Sequence, residues 1–198
     1  MIEIFDLCSS KPYVKFEELY KIALAAKQNN VETINISSYS KLLNEVNSRY
    51  VNLKFITNKE FIFFSNYDSP KSIEFSEHNQ ITASIYWNKI NIQIRMKAII
   101  KKTDANFNNA YFRNRSTDKN ALAISSSQSE QIESYENILS NYQRSLKFDD
   151  LKICPKYWGG YSFKPYYFEF WEGHESRINK RESFTLKDNQ WSSCFLQP

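Results

Sequence analysis

Glycine is scarce in this chain of 198 residues, which has only Gly159, Gly160 and Gly173. A phosphate-binding P-loop and a GxGxxG dinucleotide turn each need several glycines at fixed, close spacing. Three glycines in these positions can form neither motif, so both classes of nucleotide site are excluded. If the protein binds a phosphorylated ligand, its side chains must hold the phosphate.

The residues of a disulfide framework or a metal site are also missing. The three cysteines, Cys8, Cys154 and Cys194, are far apart and form no CxxC pair, and the two histidines lack metal-ligand spacing. No apolar run approaches the roughly 18 to 20 residues that span a bilayer, and the amino terminus lacks the basic-then-apolar order of a signal peptide. We therefore expect no metal, no membrane segment and a reducing, cytoplasmic location.

Charge of one sign is not concentrated either, since 26 basic and 22 acidic residues are spread along the chain and leave a net charge of +4. Bulk charge therefore gives no reason to expect a nucleic-acid partner. Large rings are abundant, with 15 Phe, 13 Tyr and 4 Trp, which is typical of a packed globular protein. The length suits one domain, which we expect to span residues 1–198.

Segments rich in β-branched and aromatic residues predict a sheet of antiparallel strands joined by short turns. The predicted strands are residues 32–37, 49–56, 60–65, 80–87, 90–100, 166–173, 175–184 and 190–196. Such a meander favours a barrel. Apolar spacing and capping residues predict helices at 15–28, from Ser69-Pro70 to about Glu77, after Thr103, and at 131–147. The predicted class is mainly β with peripheral helices (α+β).

Cations within these segments are the first candidates for a binding site. In one extended strand Arg177 and Arg181 would share a face, whereas Arg49 and Lys54 would face oppositely unless a bulge intervened. Tyr111 and Arg115, four residues apart, could offer a phenol and a guanidinium to a phosphate from one helical face. The alternative is that these charges are solvated on outer faces and the aromatic segments are core. Spacing alone leaves both interpretations open.

Seven segments, taken in order, resemble the pyridoxamine 5'-phosphate oxidase family. They are RYVNLK (49–54), FFSN (63–66), SPKS (69–72), YFRNR (111–115), SSSQS (125–129), YWGGY (157–161) and EFWEGHESRINKR (169–181). The resemblance covers nearly the whole chain and is most specific where WGG, EFW and R-x-x-x-R follow one another.

The resemblance implies an FMN-binding split β-barrel acting as a homodimer, with flavin at the subunit interface. Residues 1–30 would form an N-terminal helical segment and residues 155–198 a C-terminal segment for dimerisation and substrate binding. The implied reaction is oxidation of pyridoxamine or pyridoxine 5'-phosphate to pyridoxal 5'-phosphate, with O2 reduced to H2O2. The basic and aromatic residues would then serve core and flavin contacts, leaving no nucleic-acid surface.

Carried over by motif, the resemblance implies three sets of site residues. The FMN contacts would be Arg49, Val51, Lys54, Phe64, Ser65, Lys71, Asn91, Gln128, Ser129, Trp171 and Arg181. The substrate contacts would be Lys54, Tyr111, Arg115, Lys119, Arg177 and Asn179. Of these, Arg177 and Asn179 would act at the catalytic centre, with Arg177 covering the substrate ring opposite the flavin.

Four residues depart from the family pattern. Pro70 replaces an arginine at the FMN phosphate, Asn91 a glutamine at the flavin edge, Lys119 a serine at the substrate phosphate, and Asn179 a histidine beside the substrate. With proline at position 70 the charge of the family's arginine is lost, which predicts weaker FMN retention, and Asn179 cannot titrate near neutral pH. His174 is the only nearby imidazole, and we do not expect it to substitute. These changes keep open a related flavin oxidase with another substrate, of the phenazine-biosynthesis type, or a non-catalytic protein that binds FMN or pyridoxal phosphate.

Overall fold

Strands form in most of the segments where β-branched and aromatic residues are frequent. The computed structural model describes all residues, 1–198. Its strands are β1 (Glu3–Leu7), β2 (Thr33–Ser40), β3 (Glu45–Asn52), β4 (Phe55–Asn58), β5 (Glu60–Asn66), β6 (Gln80–Trp87), β7 (Ile92–Lys102), β8 (Trp158–Glu172), β9 (Lys180–Lys187) and β10 (Gln190–Leu196). The helices are α1 (Lys11–Ala25), α2 (Pro70–Glu77), α3 (Ala105–Asn114), α4 (Thr117–Ser125) and α5 (Tyr135–Phe148). The predicted mainly β class with peripheral helices is confirmed.

All ten strands belong to one sheet, ordered β1-β4-β5-β8-β7-β6-β2-β3, with β9 joined to β8 and β10 joined to β9. The pairs are antiparallel except β1 with β4, which is parallel, so the sheet is mixed. The long strand β8 exchanges neighbours along its length. Its first half, from Trp158 to Phe163, pairs with β5, whereas Tyr167 to Glu172 pair with β9. This exchange splits the sheet into a barrel portion and a C-terminal arm.

Helix α1 lies across the sheet and closes the core with aromatic rings. Tyr13, Phe16 and Tyr20 are buried, and the ring centroid of Phe16 lies 5.1 Å from that of Phe61 and 5.7 Å from that of Trp87. Burial of side chains of this size is the main favourable contribution to folding. The predicted helix is therefore confirmed, although it begins four residues earlier, where Ser10 and Pro12 form its first turn.

The single strand predicted at 49–56 is wrong, because the chain breaks between β3 and β4. Leu53 is fully buried and its backbone N–H donates to Glu32 O, while the N–H of Lys54 donates to Ile62 O. The break changes the direction of the chain and the side to which the following side chains point. Arg49 and Lys54, which an unbroken strand would place on opposite faces, line one cavity.

The strand predicted at 175–184 begins only at Lys180, and residues 173–179 form a turn. Arg177 there has a φ of 61°, which is incompatible with an extended strand. The prediction that Arg177 and Arg181 share a strand face is therefore wrong. Helix α5 also begins later than predicted, at Tyr135, because Ser134 caps it by accepting a hydrogen bond from the N–H of Asn137.

Asparagine and aspartate take the left-handed backbone positions that glycine occupies in many proteins. Asn30, Asn44, Asn58, Asp188 and Asn189 all have positive φ, and no glycine does. The glycines instead allow neighbouring side chains to lie close to the backbone. A Cβ atom on Gly159 would collide with the hydroxyl of Tyr67 and with the side chain of Asn108.

Two further features bear on the kind of site to expect. Every helix is too short or too polar to cross a membrane. No three side chains of His, Cys, Asp or Glu are grouped as metal ligands.

Candidate functional site

One cavity of about 660 Å³ collects eleven of the sixteen predicted site residues. It opens between the β3–β4 break, β5, the start of α2, the end of α3 and the loop after α4. The predicted residues that line it are Arg49, Val51, Lys54, Phe64, Ser65, Lys71, Tyr111, Arg115, Lys119, Gln128 and Ser129. The lining contains five cationic side chains and no carboxylate, so the cavity favours an anionic ligand.

At one end of the cavity, Lys71 is held at the start of α2. Its Nζ donates to Ser69 Oγ at 2.8 Å and to Gln128 Oε1 at 3.0 Å. Ser65 Oγ donates to the same amide oxygen at 3.1 Å, so Gln128 fastens the loop after α4 to β5. Ser129, the next residue, has a φ of 75°, a conformation that is uncommon for serine. We call Arg49, Ser65, Lys71, Gln128 and Ser129 the α2 cluster.

Lys71 is a buried cation without an anionic partner, being 7% exposed and in no ion pair. Its burial, followed by the nearby charge of Arg49, lowers the pKa of Lys71 to about 8. A charged group in such a position is stabilised by an incoming anion, since the anion offsets both the burial and the repulsion. The α2 cluster therefore suits a phosphate.

Arg49 is oriented by a carboxylate that the motif pattern did not identify. Glu74 of α2 is buried and accepts a hydrogen bond from Arg49 Nη2 at 2.9 Å, and it also bonds Ser38 and Asn47. Because Glu74 belongs to an ordinary amphipathic helix segment, nothing in the sequence marks it. Its charge compensates part of that of Arg49, which leaves Lys71 as the uncompensated cation of the α2 cluster.

At the other end, Lys54, Tyr111, Arg115 and Lys119 form a second group, the α3 cluster. Burial, followed by the charge of Lys119, lowers the pKa of Lys54; the carboxylate of Glu32 partly opposes this shift, and Arg115 adds to it. Burial also lowers the pKa of Arg115. None of the three cations forms an ion pair within the chain. Three mutually repelling cations in a cleft form a second anion subsite.

Stacked rings form the wall beside the α3 cluster. The ring centroid of Tyr111 lies 3.9 Å from that of Phe64 at an interplanar angle of 18°, and Trp158 stacks behind Phe64 at 5.1 Å. The guanidinium of Arg115 lies over the Trp158 ring at 4.5 Å, a cation–π contact that fixes its position. Tyr111 and Arg115 thus both line the cavity, which favours the binding-site interpretation of their spacing, although Arg115 caps α3 rather than lying within it.

The remaining five predicted residues lie outside the cavity, at the far end of the sheet. They are Asn91, Trp171, Arg177, Asn179 and Arg181. The sheet register brings them together, because Trp171 pairs with Arg181 across β8 and β9 and with Gln93 of β7. Gly173 N donates to Asn91 O at 3.0 Å, which joins the turn at 173–179 to the β6–β7 hairpin. We call this second set the arm group.

Arg181 in the arm group is fixed by Glu169, another carboxylate that the motif pattern did not assign. Its Nε and Nη2 donate to Glu169 Oε1 at 2.9 and 2.7 Å, and its Nη1 donates to Gln197 O at 2.8 Å. Glu169 is buried and also bonds Arg95 and Tyr167. Hydrogen bonds from Arg95, Arg181 and Tyr167 outweigh the effect of burial and lower the pKa of Glu169. Glu169 is the first residue of the EFW motif. The motif alone does not show whether this glutamate orients an arginine or simply belongs to a strand in the core.

The cavity therefore holds two groups of cations suited to anions, the α2 cluster and the α3 cluster, and the arm group lies outside it. Such a cavity can hold planar ligands that carry phosphate groups, with side chains in the role of a glycine-rich loop.

The sequence matches a family model and curated proteins. Residues 158–198 match the model described as pyridoxine 5'-phosphate oxidase C-terminal dimerisation region. A pyridoxine/pyridoxamine 5'-phosphate oxidase of Hydrogenovibrio crunogenus is 30% identical over 191 residues, covering 94% of this chain and 88% of that protein. The corresponding protein of Christiangramia forsetii is 34% identical over 193 residues, with the same coverage of both chains.

Solved structures show the same fold at lower sequence identity. PhzG from Burkholderia lata, solved in complex with tetrahydrophenazine-1-carboxylic acid, superposes with a TM-score of 0.90 at 21% identity, covering 96% of this chain and 93% of that one. A pyridoxamine 5'-phosphate oxidase-related, FMN-binding protein from Nostoc punctiforme gives a TM-score of 0.78 at 12% identity, covering 96% and 99%. The split-barrel fold predicted from the sequence is confirmed.

Proposed function

The chain belongs to the pyridoxine/pyridoxamine 5'-phosphate oxidase family, and from this premise we propose that it oxidises pyridoxine 5'-phosphate with O2 to pyridoxal 5'-phosphate and H2O2, or pyridoxamine 5'-phosphate with O2 and water to the same two products and ammonia. Membership supports a flavin oxidase with FMN as its cofactor and a homodimer as its assembly. The choice of substrate and the use of O2 are the proposed part.

The observation that carries the proposal is the presence of two separate cation clusters in one cavity without a carboxylate. Two phosphorylated ligands, FMN and the substrate, require two such subsites. A protein that bound FMN alone would need only the α2 cluster. Lys54, Arg115 and Lys119, none of which is in an ion pair, would then be an unfavourable arrangement with no ligand to offset their mutual repulsion.

We assign the FMN phosphate to the α2 cluster, where Lys71 and Arg49 supply positive charge and Ser65, Gln128 and Ser129 supply polar contacts. The residues fit the cofactor, because Lys71 is buried, hydrogen-bonds only the neutral side chains of Ser69 and Gln128, and has no anionic partner in the chain. Pro70 lines the cavity beside Lys71 and contributes no donor. The predicted weakening of FMN retention stays a prediction.

We assign the substrate phosphate to the α3 cluster. Lys54, Arg115 and Lys119 would bind the phosphate, and Tyr111, which lies against Phe64, would contact it through its hydroxyl. When bound, FMN would accept a hydride, which carries both electrons of the oxidation, from the C4' carbon of the substrate. The chain's own contribution is orientation, since clamping the remote phosphate holds that carbon at a fixed place over the ring system.

The arm group is proposed to complete the site of a second copy in the homodimer. These five residues lie outside this chain's cavity, and four of them fall within 158–198, the region that matches the dimerisation model. Arg177, in no ion pair or side-chain hydrogen bond within the chain, is available to cover a substrate ring. On this proposal, each site takes its phosphate clusters from one subunit and Arg177 from the other.

A second candidate is a flavin oxidase acting on a carboxylated rather than a phosphorylated ring, as the ligand of the Burkholderia lata PhzG structure suggests. Asn179 in place of the family's histidine favours it, because that change is on the substrate side. The α3 cluster argues against it, since three cations exceed what one carboxylate requires. A non-catalytic role in binding FMN or pyridoxal phosphate is the third outcome to test.

An anaerobic absorption spectrum of the FMN-loaded protein tests the proposal. Loss of the visible flavin band on adding pyridoxine or pyridoxamine 5'-phosphate is the expected result, with the dephosphorylated compounds as matched controls that react poorly. An unchanged band with FMN bound would reject the B6 oxidase. Bleaching by tetrahydrophenazine-1-carboxylic acid would then support the second candidate, and no bleaching by either class of compound would support a binding role.

A further inference from the structure

The turn at residues 173–179 is closed by hydrogen bonds that involve its own polar side chains. The Oδ1 atom of Asn179 accepts from the backbone N–H of His174 at 3.0 Å. Within the turn, His174 Nδ1 accepts from Ser176 N at 3.1 Å, and the N–H of Arg177 donates to His174 O at 2.9 Å. His174 is thus engaged in the turn itself, as an acceptor.

These bonds hold Arg177 in a backbone conformation that it would not favour alone. Its φ of 61° lies in the left-handed region, which arginine seldom adopts outside a constrained turn. The side chain of Arg177 takes no part in closing the turn and is left exposed. The turn therefore presents a free guanidinium from a fixed backbone.

We infer that Asn179 is a positioning residue, which holds Arg177 over the substrate through the backbone of the turn and transfers no proton itself. The inference rests on the proposed function for the role of Arg177, but the hydrogen bond of Asn179 is independent of it. This role explains how the reaction can proceed with asparagine at position 179, because the residue only has to accept one hydrogen bond from a backbone N–H. An amide oxygen does so at any pH.

A double-mutant cycle tests the inference with Asn179→Ala, Arg177→Ala and the double variant. We expect Asn179→Ala to lower kcat/KM for pyridoxine 5'-phosphate about tenfold, the order of one lost hydrogen bond. In the Arg177→Ala background the same change should cause no further loss. Asn179→Asp keeps an oxygen acceptor and should retain activity within about threefold. Asn106→Ala, at an exposed position on α3, is the control that should change nothing.

The pH profile distinguishes a positioning role of Asn179 from proton transfer by this residue. Wild type and Asn179→Ala should show pH profiles of the same shape, since residue 179 does not titrate in either. Losses that add in the double variant, or an Asn179→Asp protein as impaired as Asn179→Ala, would overturn the inference.

Hydrogen exchange separates failure of this inference from failure of the proposed function. If the wild-type protein does not oxidise B6 phosphates, the amide of His174 should still exchange about tenfold faster in Asn179→Ala than in wild type or Asn179→Asp. Equal exchange in all three proteins would refute the positioning role whatever the substrate.

Discussion

At the scale of single residues, the burial of Lys71 in the α2 cluster predicts that FMN binding depends on pH. Because the pKa of Lys71 is about 8 in the free protein, the side chain is charged below that pH and largely neutral above it. Binding the phosphate above pH 8 then requires uptake of a proton. We expect the Kd for FMN, measured by quenching of flavin fluorescence, to rise between pH 8 and 10 by up to about tenfold per unit.

Two substitutions of Lys71 separate charge from shape. Lys71→Met should weaken FMN binding at pH 7 by about tenfold or more and remove the rise above pH 8, since no group is left to titrate. Lys71→Arg keeps its charge throughout this range and should also lack the rise. A Kd that climbs equally in wild type and Lys71→Met would show that another group is responsible.

Lys119 is the other residue whose contribution can be isolated, because it adds a third cation to the α3 cluster where the family pattern has serine. It is exposed, so its attraction for phosphate should be modest and sensitive to salt. We expect Lys119→Ser to raise KM for pyridoxine 5'-phosphate about two- to fivefold at low ionic strength, with kcat little changed. The difference should disappear at high salt. Lys147→Ser, on α5 outside the cavity, is the control, and an unchanged KM at low salt would exclude Lys119 from the subsite.

Residue identity alone was sufficient for part of the site. The low glycine content predicted that side chains would hold any phosphate, and the cavity lining agrees with that prediction. Glu74 and Glu169 were not identified, because a buried carboxylate that orients an arginine has no local signature. Its role depends on which strand or helix lies opposite, and that is decided by contacts between distant parts of the chain.

At the scale of elements, alternating apolar residues and turn residues located most of the strands. These patterns did not show where a strand is interrupted. The pattern runs without a break from Arg49 to Ile56, whereas the strand ends at Asn52, because Leu53 is drawn into the core and Lys54 bonds β5. Strand β1 was not predicted, since its five residues show no alternation and it forms by pairing with β4. Both features come from long-range packing.

The close approach of β8 to its neighbours predicts a cost for any side chain at Gly160. A Cβ atom there would lie 3.1 Å from Cε1 of Phe64 and collide with Thr103, so the Phe64 wall would have to move. We expect Gly160→Ala to lower the free energy of unfolding by about 1 to 3 kcal/mol in urea denaturation. Ser162→Ala on the same strand is the matched control. Its buried hydroxyl has no partner, so its removal should be neutral or stabilising. Equal stability of the two variants would contradict this account of the glycine.

At the scale of the whole molecule, the order of seven motifs predicted the fold, and eleven of the sixteen residues that it nominated for a site line one cavity. It could not predict that they divide into two places. The cavity and the arm group are separated because β8 exchanges its partner from β5 to β9, which carries Trp171 and the following turn away from the barrel portion. On the proposed function, the partner subunit of the homodimer brings the two sets together.

Complementation between two inactive variants tests that composite site. Lys54→Ala removes a cavity residue and Arg177→Ala an arm residue, and each homodimer should be impaired at both of its sites. Co-refolding equal amounts makes half of the dimers mixed, and each mixed dimer has one site with both defects and one with neither. Activity should therefore return to about a quarter of the wild-type value. If each chain built its site alone, every site in the mixture would still carry one defect and activity would stay at the mean of the two variants. A mixture that shows only this mean would place Arg177 and Lys54 in the same subunit's site and reject the composite arrangement.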